Sequence, residues 1–113
     1  VNPSSGDELQ LTLHIQRKLV KQVRFTGEGC AISQSSASMM TEAIKGKTLE
    51  QALDLTQKFK DMIHGKPPHD DLGDLASLKG IAKLHARVKC ATLAWVALEE
   101  AVKKTEDLNK SEP

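Results

Sequence analysis

Glu8-Leu9-Gln10-Leu11-Thr12-Leu13-His14-Ile15-Gln16 alternates apolar and polar side chains along its length, and its reading decides the fold class. A strand turns successive side chains to opposite faces, so Leu9, Leu11, Leu13 and Ile15 share one face and Gln10, Thr12, His14 and Gln16 the other. Residues 19–26 continue the pattern, with Leu19, Val23 and Phe25 on one face and Gln22 and Arg24 opposite. The polar break Gln16-Arg17-Lys18 reads as a hairpin connection. Two strands are marginal alone, so helices must cover the apolar face.

Beyond the hairpin the period changes. Gly27-Glu28-Gly29-Cys30 leads into a stretch rich in small residues, where Ile32, Ser36, Met39, Met40 and Ala43 recur at the spacing of a helix packed closely on a neighbour, ended by Gly46. Thr48-Leu49-Glu50-Gln51 is a capping-box start, and Leu49, Ala52, Leu53, Phe59, Met62 and Ile63 form the apolar stripe of a second helix. Gly65-Lys66-Pro67-Pro68 stops it. A loop is expected from His69 to Asp74, then a short helix through Leu75, Leu78, Ile81 and Ala82, interrupted at Gly80. The final helix is expected to start near Val88 and to carry Ala91, Ala94, Trp95, Leu98 and Val102. Strands followed by helices predict an α+β domain, a small antiparallel sheet with helices packed on one face. The domain is expected to span residues 1–104, with residues 105–113 a polar tail.

Composition narrows the function. The chain of 113 residues fits one core, and no segment has the apolar length of a membrane span. Sixteen Lys plus Arg against fifteen Asp plus Glu leave a formal charge of +1, which gives no electrostatic case for nucleic acid or an anionic membrane. Phe25, Phe59 and Trp95 are the only aromatics, too few for base-stacking platforms. Two cysteines cannot make the framework of a small secreted domain, and no signal peptide is visible, so a reduced, cytoplasmic setting is expected. The chain begins at Val1 rather than Met and reads as a fragment, or as a longer chain whose first part was removed or disordered, and a further strand is an expectation for that missing part.

The chemistry centres on Cys30 and Cys90. Both fall at predicted helix N-termini, where unpaired backbone N–H groups and the helix dipole favour a thiolate, the form that binds metal or attacks sulfur. The alternative is that both are buried as small apolar residues, and the two positions alone favour that alternative. Asp7, in the turn-rich Asn2-Pro3-Ser4-Ser5-Gly6-Asp7, adds a hard oxygen donor, or else is a solvated turn residue. One carboxylate and two thiolates from separate loops would make most of a tetrahedral zinc site. Among the histidines, His14, His64 and His69 read as exposed polar residues, while His85 is near enough to Cys90 in sequence to substitute as a ligand. No Ser/His/Asp arrangement, phosphate-binding loop or dinucleotide fingerprint occurs.

Five blocks occur in order: Asn2-Pro3-Ser4-Ser5-Gly6-Asp7, Gly27-Glu28-Gly29-Cys30-Ala31-Ile32-Ser33, Ser35-Ser36-Ala37-Ser38-Met39-Met40, Lys45-Gly46-Lys47 and Arg87-Val88-Lys89-Cys90-Ala91-Thr92-Leu93. Together they resemble the successive signatures of the IscU/SufU/NifU family of iron–sulfur cluster assembly proteins, over roughly residues 1 to 102, without the family's N-terminal segment. Within it the chain looks like the SufU branch. It has that branch's Gly-x-Gly-Cys-Ala-Ile-Ser and Arg-x-Lys-Cys-Ala-x-Leu, and an extra segment from about Lys66 to Leu84. Lys89 precedes Cys90 where the IscU branch has histidine, and that branch's Pro-Pro-Val-Lys chaperone motif is absent.

The resemblance implies that Asp7, Cys30 and Cys90 bind zinc, with a fourth ligand, a cysteine, at the position of Ser5. It further implies that this cysteine accepts sulfur from a SufS-type cysteine desulfurase, freed when a partner histidine takes its place on the metal, and that Arg87 pairs with Asp7 when Asp7 leaves it. A surface role for Arg87 stands beside that one. Ser5 departs from the pattern: a serine hydroxyl is a poor neutral zinc ligand and forms no persulfide. An engineered substitution, a natural loss of the acceptor and an altered chemistry each account for it, and the first two predict impaired sulfur acceptance. Three functions follow: a zinc-dependent sulfur acceptor, a scaffold for a [2Fe–2S] cluster on the same ligands, and a desulfurase partner that only binds.

Overall fold

The computed structural model describes residues 8–110. Strands β1 (Glu8–Gln16) and β2 (Leu19–Glu28) form an antiparallel hairpin, followed by helices α1 (Ala31–Ile44) and α2 (Leu49–Ile63), a connecting 3-10 helix (Asp70–Lys83) and a long helix α3 (His85–Lys110). The α+β architecture expected from the order of periods is the one observed.

The hairpin turn is Arg17-Lys18, both left-handed at φ 55° and 64°. That geometry matches the twist of the flanking strands, and here it is imposed on two residues that carry a Cβ. The ladder pairs Leu11 with Phe25, Leu13 with Val23 and Ile15 with Val20, and a bulge between His14 and Ile15 leaves Lys21 as an extra residue in β2. An extra residue inverts the alternation beyond it. Val20 therefore joins Val23 and Phe25 on the core face and is fully buried, whereas strict alternation placed Leu19 there. The start of β2 is also stitched to the α1–α2 connection: Val20 N donates to Lys47 O (2.8 Å), Gly46 N to Val20 O (2.7 Å) and Leu49 N to Lys18 O (3.0 Å).

The capping box forms as the sequence predicts. Gln51 N donates to Thr48 Oγ1 (3.1 Å), and Thr48 N donates back to Gln51 Oε1 (3.0 Å). The next connection departs from expectation. His69 caps a 3-10 helix that begins at Asp70, and the break in it falls at Gly73 (φ 54°, ψ −125°), not at Gly80. Leu72, Leu75 and Ile81 bury its inner side against α2 and α3, and Lys58 of α2 holds its start through Asp71 (2.6 Å) while also pairing with Asp54 (2.6 Å). These tertiary contacts make a helix of what reads locally as a charged loop. The last helix likewise starts at His85, a turn earlier than the periodicity indicates, and its backbone runs on through Lys110.

The core is centred on Trp95, whose ring stacks on Phe59 at 4.6 Å between centroids and 16° between planes. Around it Met40, Ile44, Met62, Ile63 and Leu98 are wholly or almost wholly buried. Each large apolar side chain so buried contributes about 1.5–3 kcal/mol. α1 lies along α3 with Ser33, Ser36, Ala37, Met40 and Ile44 buried, a stripe rotated by one residue from the one expected. No helix among the described residues is long and apolar enough to cross a membrane.

Candidate metal centre

Cys30 and Cys90 meet where the start of α1 lies against α3. Cys30 is the N-cap of α1, with extended backbone (φ −71°, ψ 170°), as the glycine-flanked turn after β2 predicts. Gln34 Nε2 ties that turn down by donating to Gly27 O (3.2 Å), and the Ser33 hydroxyl donates to Cys30 O (2.9 Å). Cys90 differs from expectation. With α3 starting at His85, it lies in the second turn, past the four N–H groups that a helix start leaves unpaired. The helix dipole therefore acts on Cys30 and not on Cys90.

Burial pushes the Cys30 thiol up, but hydrogen bonding outweighs it: the Ser33 N–H, the Cys90 side chain, the Ser33 hydroxyl and the Ile32 N–H together hold it below its ordinary value. The Cys90 side chain is thus near enough to act on the Cys30 sulfur. Cys30 is half-buried, and Cys90 is only 4% exposed.

A residue to which the sequence assigned no role joins the two helices near Cys90. Ser36, fully buried on α1, donates its hydroxyl to the Ala91 carbonyl oxygen of α3 and accepts from Trp95 Nε1 (3.1 Å). Ala91 is next to Cys90, and Trp95 is the largest side chain of the core. The hydroxyl therefore ties α1 to α3 at the residue after Cys90. Serines three apart on a buried helical stripe, Ser33 and Ser36, were the available signal, since a buried hydroxyl must find partners.

Of the other expected site residues, Ser5 and Asp7 lie outside the described residues. Arg87 is exposed in the first turn of α3, one turn before Cys90. His85 is five residues from Cys90, about 140° around the helix, so the two do not share a face. No group of three or more His, Cys, Asp or Glu side chains is placed to hold a metal among the described residues. Two adjacent thiols on helices nevertheless fit part of the donor set of a tetrahedral zinc or iron–sulfur site. A groove of about 410 Å³ lies elsewhere, its lining including Met39, Ala43, Leu55, Asp71, Leu72 and Leu75. It begins nine residues along α1 from Cys30, roughly 14 Å away by helical rise.

Comparison with known proteins places this arrangement. The model of the NifU-like N-terminal domain matches residues 1–112. The zinc-dependent sulfurtransferase SufU of Bacillus subtilis is 51% identical over 110 residues, which cover 96% of this chain and 75% of that protein. The iron–sulfur cluster assembly scaffold protein IscU of Streptococcus pyogenes is 43% identical over 106 residues, 92% of this chain and 67% of that one. Among solved structures, a protein of Fervidobacterium islandicum described as an iron–sulfur cluster assembly scaffold of the SUF system matches with a TM-score of 0.85 at 36% identity, over 89% of this chain and 75% of that one. With its cysteine pair set between α1 and α3 and its likeness running from end to end, the chain belongs to the NifU-like N-terminal domain family, the IscU/SufU group of iron–sulfur cluster assembly proteins.

Proposed function

We propose that the chain is a zinc-dependent sulfur acceptor of the cytoplasm that works with a SufS-type cysteine desulfurase, its metal held by Asp7, Cys30 and Cys90, and Ser5 standing where the accepting cysteine belongs. The observation that carries this reading is the Cys30–Cys90 pair: two soft donors side by side, with the more exposed one already biased toward its thiolate. Likeness to a relative named as a zinc-dependent sulfurtransferase supports zinc and sulfur transfer over other chemistry.

When bound, zinc would supply a fixed positive charge that keeps thiolates ionised and orders the loops bearing them. The chain's own residues do the rest. Cys30 and Cys90 provide the helix-mounted half of the site, and burial of Cys90 keeps water from its sulfur. Asp7 brings a hard oxygen donor, more readily exchanged than a thiolate. Arg87, exposed beside the first turn of α3, is the cation to receive that carboxylate. Ser5 cannot carry sulfur, because a persulfide needs a thiol to form on, so this chain is impaired in the acceptance step.

The test is Ser5→Cys, incubated with a desulfurase and cysteine. Protein-bound sulfur is expected on the variant and not on the parent; equal uptake by both would remove Ser5 from the acceptor position. A second reading, a scaffold for a [2Fe–2S] cluster, is favoured by the relative named as a scaffold at 43% identity. Metal content of purified Ser5→Cys separates the two: zinc at about one per chain supports the acceptor, and iron with matching acid-labile sulfide supports the scaffold. If Ser5→Cys binds the desulfurase and takes up neither, the chain only docks.

A further inference from the structure

We propose that the turn end of the hairpin, together with the α1–α2 connection bonded to it, is a docking surface for an acidic protein partner, seated at the opposite end of α1 from Cys30. The proposal is independent of the zinc reading and of Ser5, since it draws on neither.

The surface is assembled by the backbone. Leu49 N donates to Lys18 O (3.0 Å), Val20 N to Lys47 O (2.8 Å) and Gly46 N to Val20 O (2.7 Å), and Leu19 bridges to Thr48. Arg17, Lys18, Lys21, Lys45 and Lys47 each lie at one of these bonded residues or directly beside one. Five cations from two stretches of chain are thus gathered at one end of α1. Four of them are exposed, and Lys47 is half-buried. Among the described residues none of the five forms an ion pair, the paired carboxylates being taken by Lys58, Lys60, His69 and Lys103. Glu42 and Glu50, the acidic residues nearest to Lys45 and Lys47 along the chain, are exposed and pair with neither. Lys47 also lines the groove that includes Asp71, so the other four carry most of the charge of this surface.

Like charges gathered in this way repel one another, and the turn adds a second cost. Arg17 and Lys18 are both left-handed, at φ 55° and 64°, where Asn-Gly is the less strained choice. Strain kept on two charged side chains points to a use of that charge outside the fold. An opposing acidic surface offsets the repulsion and steers the encounter. The rest of the chain selects among anionic partners. Without these five, eleven Lys and Arg remain against fifteen Asp and Glu, so the body behind the patch is net negative. A long nucleic acid or a membrane extends past the patch onto that body and is repelled there, whereas a compact acidic protein surface is not. Residues 16–22 and 45–48 also include no aromatic side chain on which a base could stack. The fourteen residues of α1 separate Cys30, at its N-cap, from the connection by about 21 Å of helix. A partner held at the hairpin end therefore leaves Cys30 open.

The experiment titrates a short peptide of alternating Glu and Asp into the isotope-labelled full chain and follows the amide NMR shifts. Shifts are expected at residues 16–22 and 45–48, with binding weakened about tenfold as salt rises from about 0.03 to about 0.3 M. Lys21→Glu combined with Lys45→Glu should weaken it by about tenfold as well. Arg17→Asn combined with Lys18→Gly should also weaken binding while the fold becomes more stable, which separates lost charge from lost structure. Lys79→Glu combined with Lys83→Glu, an exposed basic pair on the 3-10 helix, should leave binding unchanged. Alkylation of Cys30 should run at the same rate with the peptide bound. The proposal is overturned if the shifts spread equally to Lys79, Lys83 and Lys103, if the variant at Arg17 and Lys18 binds as the parent does, or if the peptide protects Cys30. A short duplex DNA or phosphatidylserine vesicles bound at the hairpin end more tightly than the peptide would likewise overturn it, in favour of a nucleic acid or a membrane.

Discussion

Replacing Ser36 with Ala tests the link between core packing and the cysteine site. The substitution removes one oxygen from a position with no solvent access, where that oxygen donates to Ala91 O and accepts from Trp95 Nε1. Trp95 is itself fully buried, so its N–H is left without the acceptor it has in the parent. A buried donor stranded in this way costs about 1–3 kcal/mol, and the lost hydrogen bond to Ala91 adds about 0.5–1.5 kcal/mol. The total, roughly 2–4 kcal/mol, is a large share of the 5–15 kcal/mol that holds an ordinary domain together. For a chain of 113 residues it should lower Tm by about 10–20 °C. Urea unfolding of parent, Ser36→Ala, Trp95→Phe and the double variant isolates the contact. Because Trp95→Phe removes the N–H that Ser36→Ala strands, the two should be non-additive, with a coupling of about 1 kcal/mol or more. A Ser36→Ala variant within about 0.5 kcal/mol of the parent would refute the reasoning, as would strict additivity. The same variant should bind cobalt(II) more weakly, read from the thiolate-to-metal absorption, because the register of α1 on α3 is what sets the two sulfurs together.

The remaining predictions concern pH, the hairpin and the connecting helix. Because the folded-state value of Cys30 is lowered, the native protein holds fewer protons than the unfolded chain between the two values; stability gained there is complete above the unfolded value and lost as pH falls through the folded one. The pH profile of Cys30 alkylation should accordingly be displaced to lower pH than that of the urea-unfolded chain, and Cys90→Ala should move it back upward. Changing Arg17-Lys18 to Asn-Gly relieves two left-handed residues and should stabilise the fold by about 1 kcal/mol, since each such residue with a Cβ costs roughly 1–2 kcal/mol and glycine returns part of that as unfolded-state entropy. Lys58→Met removes the cation shared by Asp54 and Asp71, and hydrogen exchange at Leu72 and Leu75 should quicken while that in α1 stays unchanged. Exchange at all these sites unaltered would mean that Leu72 and Leu75 hold the connecting helix without the ion pairs.

The parts of the fold legible in the sequence are those specified by neighbours along the chain. The alternation of residues 8–16, the capping box at Thr48 and the glycines after α1 and α2 each act within a few residues, and each gave the element expected. What was illegible depended on partners distant in sequence. The bulge at Lys21 is set by how β2 must meet both β1 and the α1–α2 connection, so Val20 and not Leu19 enters the core. The 3-10 helix exists because Leu72 and Leu75 dock on α2 and Lys58 reaches Asp71 across thirteen residues. The site divides along the same line. Cys30 at a helix start could be read from its glycines, but its meeting with Cys90 spans sixty residues of sequence, and the motif supplied that expectation where periodicity could not.

That division bears on Ser5. The half of the site carried by α1 and α3 rests on the core, where the Ser36 hydroxyl bonds to Ala91 O and accepts from the buried Trp95 N–H. On the proposed reading, a serine at position 5 bears on the acceptance of sulfur, which needs a thiol, rather than on that contact. Ser5→Cys should then restore transfer without altering the unfolding free energy of the metal-free protein by more than about 0.5 kcal/mol, the range of a surface change. A larger shift would show that the N-terminal residues pack into the core after all, and that the two halves of the site are not separable.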